Sequence, residues 1–164
     1  MVHFREVQRF RQVWLWILLL AGLAPLGFGL YWQIALGRPW GNHPVSDATL
    51  VAISAVLFLL LAWFYLVKLV TEVHDQEVRA QFVYMWRAKH IPFSRIRRAE
   101  AVTYNPFRDY GGWGIRKGLD GWAYNVSGNR GVRIDYNDGN KFLIGSQRPE
   151  ELAEAIQACL PAPR

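Results

Sequence analysis

The sequence predicts a membrane α-helical hairpin of two transmembrane helices, followed by an α+β domain that is mainly antiparallel β and closes with a C-terminal helix. Two long apolar runs, residues 13–36 and 48–67, contain no charged side chain. At about 1.5 Å of rise per residue, a helix of either length crosses a hydrocarbon core of about 30 Å. The later chain is polar and carries short runs of alternating apolar side chains. We therefore expect a cytoplasmic N-terminal arm (1–12), a transmembrane hairpin (13–69) and a cytoplasmic domain (70–164).

The composition limits the kinds of site that the domain can carry. The 164 residues include 8 tryptophans and give a formal net charge of +6. The single cysteine, Cys159, excludes an internal disulfide and any site built from several cysteines. The histidines do not recur at the spacing of metal ligands on a helix. We therefore expect no metal and no cofactor.

A cleaved signal peptide is the alternative to a retained first helix, because small residues at 20–24 resemble a cleavage site. The apolar run is longer than the core of a typical signal peptide, and Pro25 stands where cleavage would have to occur. We therefore expect the first helix to be retained.

The second apolar run has one face of small side chains, made by Ala48, Ala52, Ala55 and Ala62. Small residues let helices approach closely in lipid, where packing replaces the hydrophobic driving force. We expect this face to pack against the first helix, and the sequence leaves a homo-oligomer open.

Positive charges predict the orientation of the hairpin. The arm carries three arginines, and Lys68 follows the second run at once, whereas the loop between the runs has only Arg38. Lysine and arginine are retained on the cytoplasmic side of a membrane. The sequence therefore predicts a multi-pass protein of the inner (plasma) membrane with both termini in the cytoplasm.

The C-terminal domain shows the signals of strands. Residues 78–86 alternate apolar and polar side chains, which is typical of a half-buried strand, and a second strand is predicted at 96–104. Residues 105–121 are rich in glycine and predict a long loop. An antiparallel meander is predicted from three further strands at 122–126, 131–136 and 141–144.

A closing helix is predicted from Pro149, because proline suits a first turn and Glu150 and Glu151 favour its positive end. Pro161 is expected to stop this helix. Cys159 falls on the apolar stripe of the helix, so we predict an apolar filler rather than a nucleophile.

Two segments carry a resemblance to a known family. They are GGWGIRKGLDGWAYNVSGNRGV at 111–132 and FLIGSQRPEELAEAI at 142–156. They resemble bacterial membrane proteins that have two spans and a pleckstrin-homology-like (PH-like) domain, a family of unknown function. The resemblance implies a PH-like fold and a membrane location, and it implies neither a reaction nor a set of binding residues.

Two sets of side chains are candidates for binding. The first set combines aromatic and basic residues around the glycine-rich segment, a combination that is common at binding surfaces: Arg108, Trp113, Arg116, Lys117, Trp122 and Arg130. The alternative for Trp113 and Trp122 is a place in the core of the domain. The second set is a basic cluster that we expect to face the membrane: Arg87, Lys89, Arg95, Arg97 and Arg98. Near an anionic leaflet each basic group adds about 1 kcal/mol of attraction. The alternative for this set is an ordinary solvated face.

The sequence thus favours a non-enzymatic scaffold or assembly role, in which the domain binds an unidentified protein. The alternative is a membrane-tethered sensor of anionic lipid headgroups. An enzyme would need a pocket that gathers His74, Asp75 or His90 with other polar groups. Nucleic acid is not an expected partner, because no recognisable binding module accompanies the positive charge.

Overall fold

The structure is a computed structural model that describes residues 1–160. The chain forms two compact units: residues 11–66 make a helical hairpin, whereas residues 1–10 and 67–160 make a β-domain. In chain order, the hairpin is therefore inserted into the β-domain. The predicted boundaries place residues 1–12 outside the folded domain, and this is wrong for residues 2–9, which form a strand of it.

The helical unit agrees with the two predicted runs. Helix α1 (Val13–Leu30) continues into a π-helical turn (Tyr31–Ala35), and helix α2 (Asp47–Leu66) follows after the loop. Within residues 1–160, these are the two helices that are long and apolar enough to cross a membrane.

The loop between the helices is held by the one strongly polar side chain of the first apolar run. Gln33 Nε2 donates hydrogen bonds to the Val45 carbonyl oxygen and to Asp47 Oδ1, each at 2.7 Å. Trp40 lies against Gly29, where an added Cβ would come within 2.6 Å of the indole ring. The glycine at position 29 therefore makes room for the tryptophan.

Leucines rather than alanines make the packed face of α2. Its less exposed positions are Leu50, Ser54, Leu57, Leu61 and Phe64, whereas the face with Ala48, Ala52, Ala55 and Ala62 is exposed. The predicted packing of the alanine face against the first helix is therefore wrong. The face with the larger side chains packs because these side chains make more van der Waals contacts than alanine does. At the other end of the helices, the Trp16 ring lies 5.8 Å from that of Phe64.

The β-domain consists of two sheets and a closing helix. The first sheet pairs β1 (Val2–Arg9), β2 (Lys68–His74), β3 (Glu77–Val83) and β4 (Lys89–Pro92) in that order, all antiparallel. The second sheet contains five strands: β5 (Ile96–Thr103), β6 (Gly114–Gly118), β7 (Gly121–Asn125), β8 (Arg130–Tyr136) and β9 (Lys141–Gly145). Its spatial order is β5-β8-β9-β7-β6.

The core lies where the inner faces of the sheets meet. Strand β3 buries alternate side chains, Val78, Ala80 and Phe82, because successive side chains point to opposite faces of a sheet. The Phe82 ring meets Tyr124 of the second sheet edge-on at 5.6 Å. Helix α4 (Pro149–Cys159) packs on β5 and β8 and buries Leu152 and Ile156.

The first predicted strand, at 78–86, extends too far. Strand β3 ends at Val83, and Tyr84 adopts a left-handed backbone with φ of 66°. Tyr84 and Trp86 therefore leave the buried face and are exposed. Strand β2 was not predicted, because it begins almost directly after the apolar run of α2. The predictions of β5 and of a helix beginning at Pro149 are confirmed, whereas the predicted stop at Pro161 lies outside the described residues.

The predicted loop at 105–121 contains regular structure. Helix α3 (Pro106–Tyr110) is capped by the Asn105 side chain, which accepts hydrogen bonds from two backbone N–H groups, and is followed by Gly111 at φ of 71°. Strand β6 then forms a hairpin with β7. We call residues 104–129, between β5 and β8, the insertion. Apart from β7, its elements escape prediction because none is long enough to show a clear period.

The predicted antiparallel meander is only partly correct. Strands β8 and β9 form the expected hairpin, but β7 pairs parallel to β9 and does not touch β8 in the sheet. Gly121 allows this pairing, because an added Cβ would lie 2.1 Å from the Lys141 carbonyl oxygen.

Two buried polar side chains of β1 join it to the second sheet. Glu6 accepts hydrogen bonds from Ser146 Oγ at 2.6 Å and from the Gln147 backbone N–H at 2.8 Å. Gln8 Nε2 donates to the Gly145 carbonyl oxygen at 2.7 Å. The two bonds to the Glu6 carboxylate are charge-assisted and therefore stronger than the neutral bond from Gln8. Strand β1 therefore ties the first sheet to the segment that connects β9 with α4.

Candidate functional site

A cavity of about 400 Å³ lies between the insertion and strands β5, β8 and β9 of the second sheet. The floor is largely apolar and includes Tyr104 and Leu143, while Arg108 and Tyr110 come from α3 and its end. The turn between β6 and β7 adds Leu119. The cavity is therefore bounded by three separate parts of the domain.

Two tyrosines form the buried side of this cavity. Their rings, Tyr104 and Tyr110, meet edge-on at 5.8 Å. Burial raises the pKa of Tyr104 to about 12. The pKa of Tyr110 is also raised, first by burial and then by the negative charges of Asp120 and Asp109. Both hydroxyls therefore stay neutral at physiological pH.

The charges around the cavity largely compensate one another. Arg108 Nε lies 2.9 Å from Asp109 Oδ1, and Arg133 pairs with Glu100 across two strands. The pKa of Asp109 is lowered, mainly by the hydrogen bond from the Asn105 backbone N–H and then by Arg108. The rim therefore combines both signs of charge and is not a concentrated anion site.

Two residues of the first candidate set hold the insertion together. The Trp113 ring packs edge-on against Phe107 at 4.8 Å, and its Nε1 donates to the Gly128 carbonyl oxygen at 3.0 Å. Arg116 Nε donates to the Trp113 carbonyl oxygen at 3.0 Å. These contacts bind one part of the insertion to another.

Two other members of this set lie side by side at the free end of the β6–β7 hairpin. Lys117 and Trp122 are cross-strand partners, and the turn between them contains Leu119. Leu119 is fully exposed and Trp122 is 48% exposed. We call Lys117, Leu119 and Trp122 the insertion tip. Sequence reasoning missed Leu119, because a single leucine among glycines shows no pattern that distinguishes an exposed from a buried side chain.

The structure does not bring the whole first set together. Arg108 lines the cavity, and Arg130 pairs with Glu150 at the start of α4. Within the set, Lys117 and Trp122 are therefore the two members that the hairpin register pairs directly.

The second candidate set is divided between two places. Arg87 lies in the β3–β4 connection and Lys89 begins β4, with its Nζ 5.8 Å from the centroid of the Phe142 ring. The other three residues come after the opposite end of β4, where Pro92 pairs with Glu77 at the start of β3. They are Arg95, Arg97 and Arg98. Strand β4 separates the two groups, and its four residues span about 13 Å.

Two of the distant arginines also have acidic neighbours. Arg98 Nη2 lies 2.7 Å from Glu100 Oε2, and Arg95 Nη2 lies 3.5 Å from Asp138 Oδ2. Arg95 additionally stacks over the Tyr136 ring at 5.2 Å. Their charge is partly balanced within the domain.

The residues named for an enzymatic pocket are only partly brought together: His74 and Asp75 line a recess of about 500 Å³ at the β2–β3 turn, whereas His90 is not part of its lining. His74 Nε2 is 3.2 Å from Glu72 Oε2, His3 Nε2 is 2.8 Å from Asp75 Oδ1, and His90 Nδ1 is 2.8 Å from Glu77 Oε1. Across residues 1–160, no group of three or more His, Cys, Asp and Glu side chains is arranged to hold a metal ion.

Comparison with known proteins does not assign this chain to a family. No family model matches the sequence, and no curated protein matches it.

Proposed function

We propose that this protein is anchored in the inner membrane by its helical hairpin and binds another protein through the insertion tip of a cytoplasmic PH-like domain. Its role is that of a non-enzymatic scaffold or assembly factor. The observation that carries the proposal is the full exposure of Leu119 beside the half-exposed Trp122.

Two observations support membrane insertion of the hairpin. In each apolar helix only 6% of the most hydrophobic stretch is buried, whereas the core helix of a soluble protein is mostly buried. The signal-peptide alternative is disfavoured because cleavage would remove β1 together with its hydrogen bonds to β2 and to Ser146. The pairing of β1 with β2 also favours a hairpin whose two ends lie on the same side of the membrane.

The architecture of the β-domain supports the PH-like assignment. Two sheets of mainly antiparallel strands pack through their inner faces, and α4 closes them at the C-terminal end. The insertion lies between β5 and β8, and its β7 belongs to the second sheet, whereas the turn that carries Leu119 is exposed. An exposed turn held by a sheet is a suitable place for a binding surface, because binding residues are common on loops that a rigid scaffold positions.

The chemistry of the tip favours a protein partner. An exposed leucine next to a tryptophan provides apolar area that gains free energy when a partner covers it, and tryptophan is enriched among residues that dominate binding. Lys117 adds one charge at the rim of this patch. Leu119 also borders the cavity above Tyr104, so that a partner side chain has a recess to enter.

Photo-crosslinking in native membranes tests this proposal. A photoreactive amino acid at position 119 of the full-length protein is expected to give a discrete protein adduct. The adduct should weaken strongly in the Trp122→Ala background, because the neighbouring apolar area is lost. The matched control is position 7, since Val7 is also an exposed apolar residue of the domain but lies on β1. Adducts of equal yield at both positions, or adducts with lipid only at 119, would contradict the proposal.

The second candidate function is a sensor of anionic headgroups, and it would draw on two groups of basic residues that β4 separates.

A further inference from the structure

One end of the first sheet carries both chain connections to the helical hairpin. The register pairs Arg9 of β1 with Lys68 of β2, and Lys68 with Val83 of β3. Helix α1 begins at Val13, soon after Arg9, and α2 ends at Leu66, just before Lys68. We call this the Lys68 end of the sheet. The connection between β3 and β4 starts at the same end, because it follows Val83 directly.

This β3–β4 connection exposes two large aromatic side chains next to an arginine. Tyr84 is 65% exposed and Trp86 is 62% exposed, and Arg87 follows them. The loop is closed by hydrogen bonds from the backbone N–H groups of Met85 and Trp86 to the Phe82 carbonyl oxygen, at 3.2 and 2.9 Å. The aromatic rings are therefore presented on a defined turn at the end of the sheet.

Basic side chains gather at the Lys68 end of the first sheet, which carries Arg9, Lys68 and Arg87. The opposite end carries Asp75 and Glu77 around the β2–β3 turn, together with the three arginines that follow β4. An anionic membrane surface would attract the Lys68 end.

We propose that the β3–β4 loop, residues 84–87, is an interfacial anchor that enters the headgroup region of the same bilayer that the hairpin crosses. Tryptophan and tyrosine prefer this region because it accommodates an apolar ring together with a polar N–H or O–H group. Arg87 binds lipid phosphate there. The anchor holds the Lys68 end of the domain against the membrane and directs the opposite end away from it.

The lengths of the connections make this contact reachable. Val67 alone separates α2 from β2, and residues 10–12 separate β1 from α1. Three extended residues span at most about 10 Å. The Lys68 end is therefore tethered within that distance of the points where the helices leave the bilayer.

This inference rests on the membrane insertion proposed above, and it does not depend on a protein partner at the insertion tip. The test uses the full-length chain reconstituted in vesicles that contain phosphatidylcholine and phosphatidylglycerol. With Cys159 replaced by serine, a fluorophore is attached at Met85→Cys, and its quenching by spin-labelled lipids reports contact with the bilayer. The matched control carries the fluorophore at Gln76→Cys, in the turn at the opposite end of the same sheet.

Quenching is expected to be severalfold stronger at position 85 than at position 76. Replacing Trp86 and Tyr84 together with serine should lower it towards the value at 76, because both aromatic anchors are then absent. Alkaline extraction of the same vesicles separates the two proposals. If the chain resists extraction but positions 85 and 76 are quenched equally, the anchor is wrong and membrane insertion stands. If alkali releases the chain, both proposals fail.

Discussion

Deletion of residues 2–9 is expected to unfold the β-domain, even though these residues are far in sequence from the rest of it. Strand β1 covers one whole edge of β2 and supplies the buried side chains Phe4, Glu6 and Gln8. Burial of one large apolar side chain contributes about 1.5–3 kcal/mol, and hydrogen bonds to a charged group contribute a similar amount. The sum approaches the total stability of a typical domain, about 5–15 kcal/mol.

Limited proteolysis of the full-length protein in mild detergent measures this effect. The deleted variant should lose the protease-resistant β-domain at protease concentrations that leave the parent intact. The control is the double variant Arg5→Ala and Val7→Ala, which changes only outward-facing side chains of the same strand. A deletion variant whose β-domain resists protease as well as the control would show that β1 is dispensable.

Substitution of Gly121 by alanine is expected to cost about 3 kcal/mol or more. Its backbone has φ of 123°, a conformation that strains any residue with a Cβ by about 1–3 kcal/mol. The added Cβ would also lie 2.1 Å from the Lys141 carbonyl oxygen, within the parallel pairing of β7 and β9. Overpacking of this kind adds about 1–3 kcal/mol, because backbone has to move.

The matched control for this substitution is Gly139→Ala. Gly139 also has positive φ, at 84°, but nothing lies within 4 Å of an added Cβ. It should therefore lose only about 1 kcal/mol from backbone strain. Urea unfolding of the two variants in detergent compares them directly. Equal losses of stability would mean that β7 does not approach β9 as the structure shows.

The sequence predicted those elements whose pattern is local. The apolar helices, strand β5 and the α4 helix each carry their own period or terminal signal, and their positions agree with the structure. Strand β1 escaped prediction because two of its three buried side chains are polar. Glu6 and Gln8 have the side chains of typical surface residues, and they are buried here because Ser146 and Gly145 bind them by hydrogen bonds. These partners are distant in sequence, so no local pattern indicates them.

For the candidate site, the sequence indicated the segment but not the position of each side chain within it. Aromatic and basic residues around the glycines indicated the segment that forms the insertion, but the sequence could not separate Trp113, which holds the insertion together, from Trp122, which is exposed at its tip. The contacts of Trp113 with Phe107 and Gly128 make that difference, and they appear only once the insertion is folded. The basic cluster is divided because β4 lies between its members.

The helical hairpin lies in sequence between β1 and β2, which pair with each other in the β-domain. A disulfide between these two strands, formed in native membranes, tests this arrangement. In a Cys159→Ser background, cysteines are placed at Val7 and Val70, which are partners in the β1–β2 pairing. Adjacent antiparallel strands bring such residues within about 5.5 Å, which suits a disulfide. The control pairs Val7 with Gln81, which lies one strand further away and is out of reach at about 10 Å. We predict rapid oxidation of the first pair and none of the second. Equal oxidation of both pairs, or no disulfide between positions 7 and 70, would show that β1 does not pair with β2 as the structure has it.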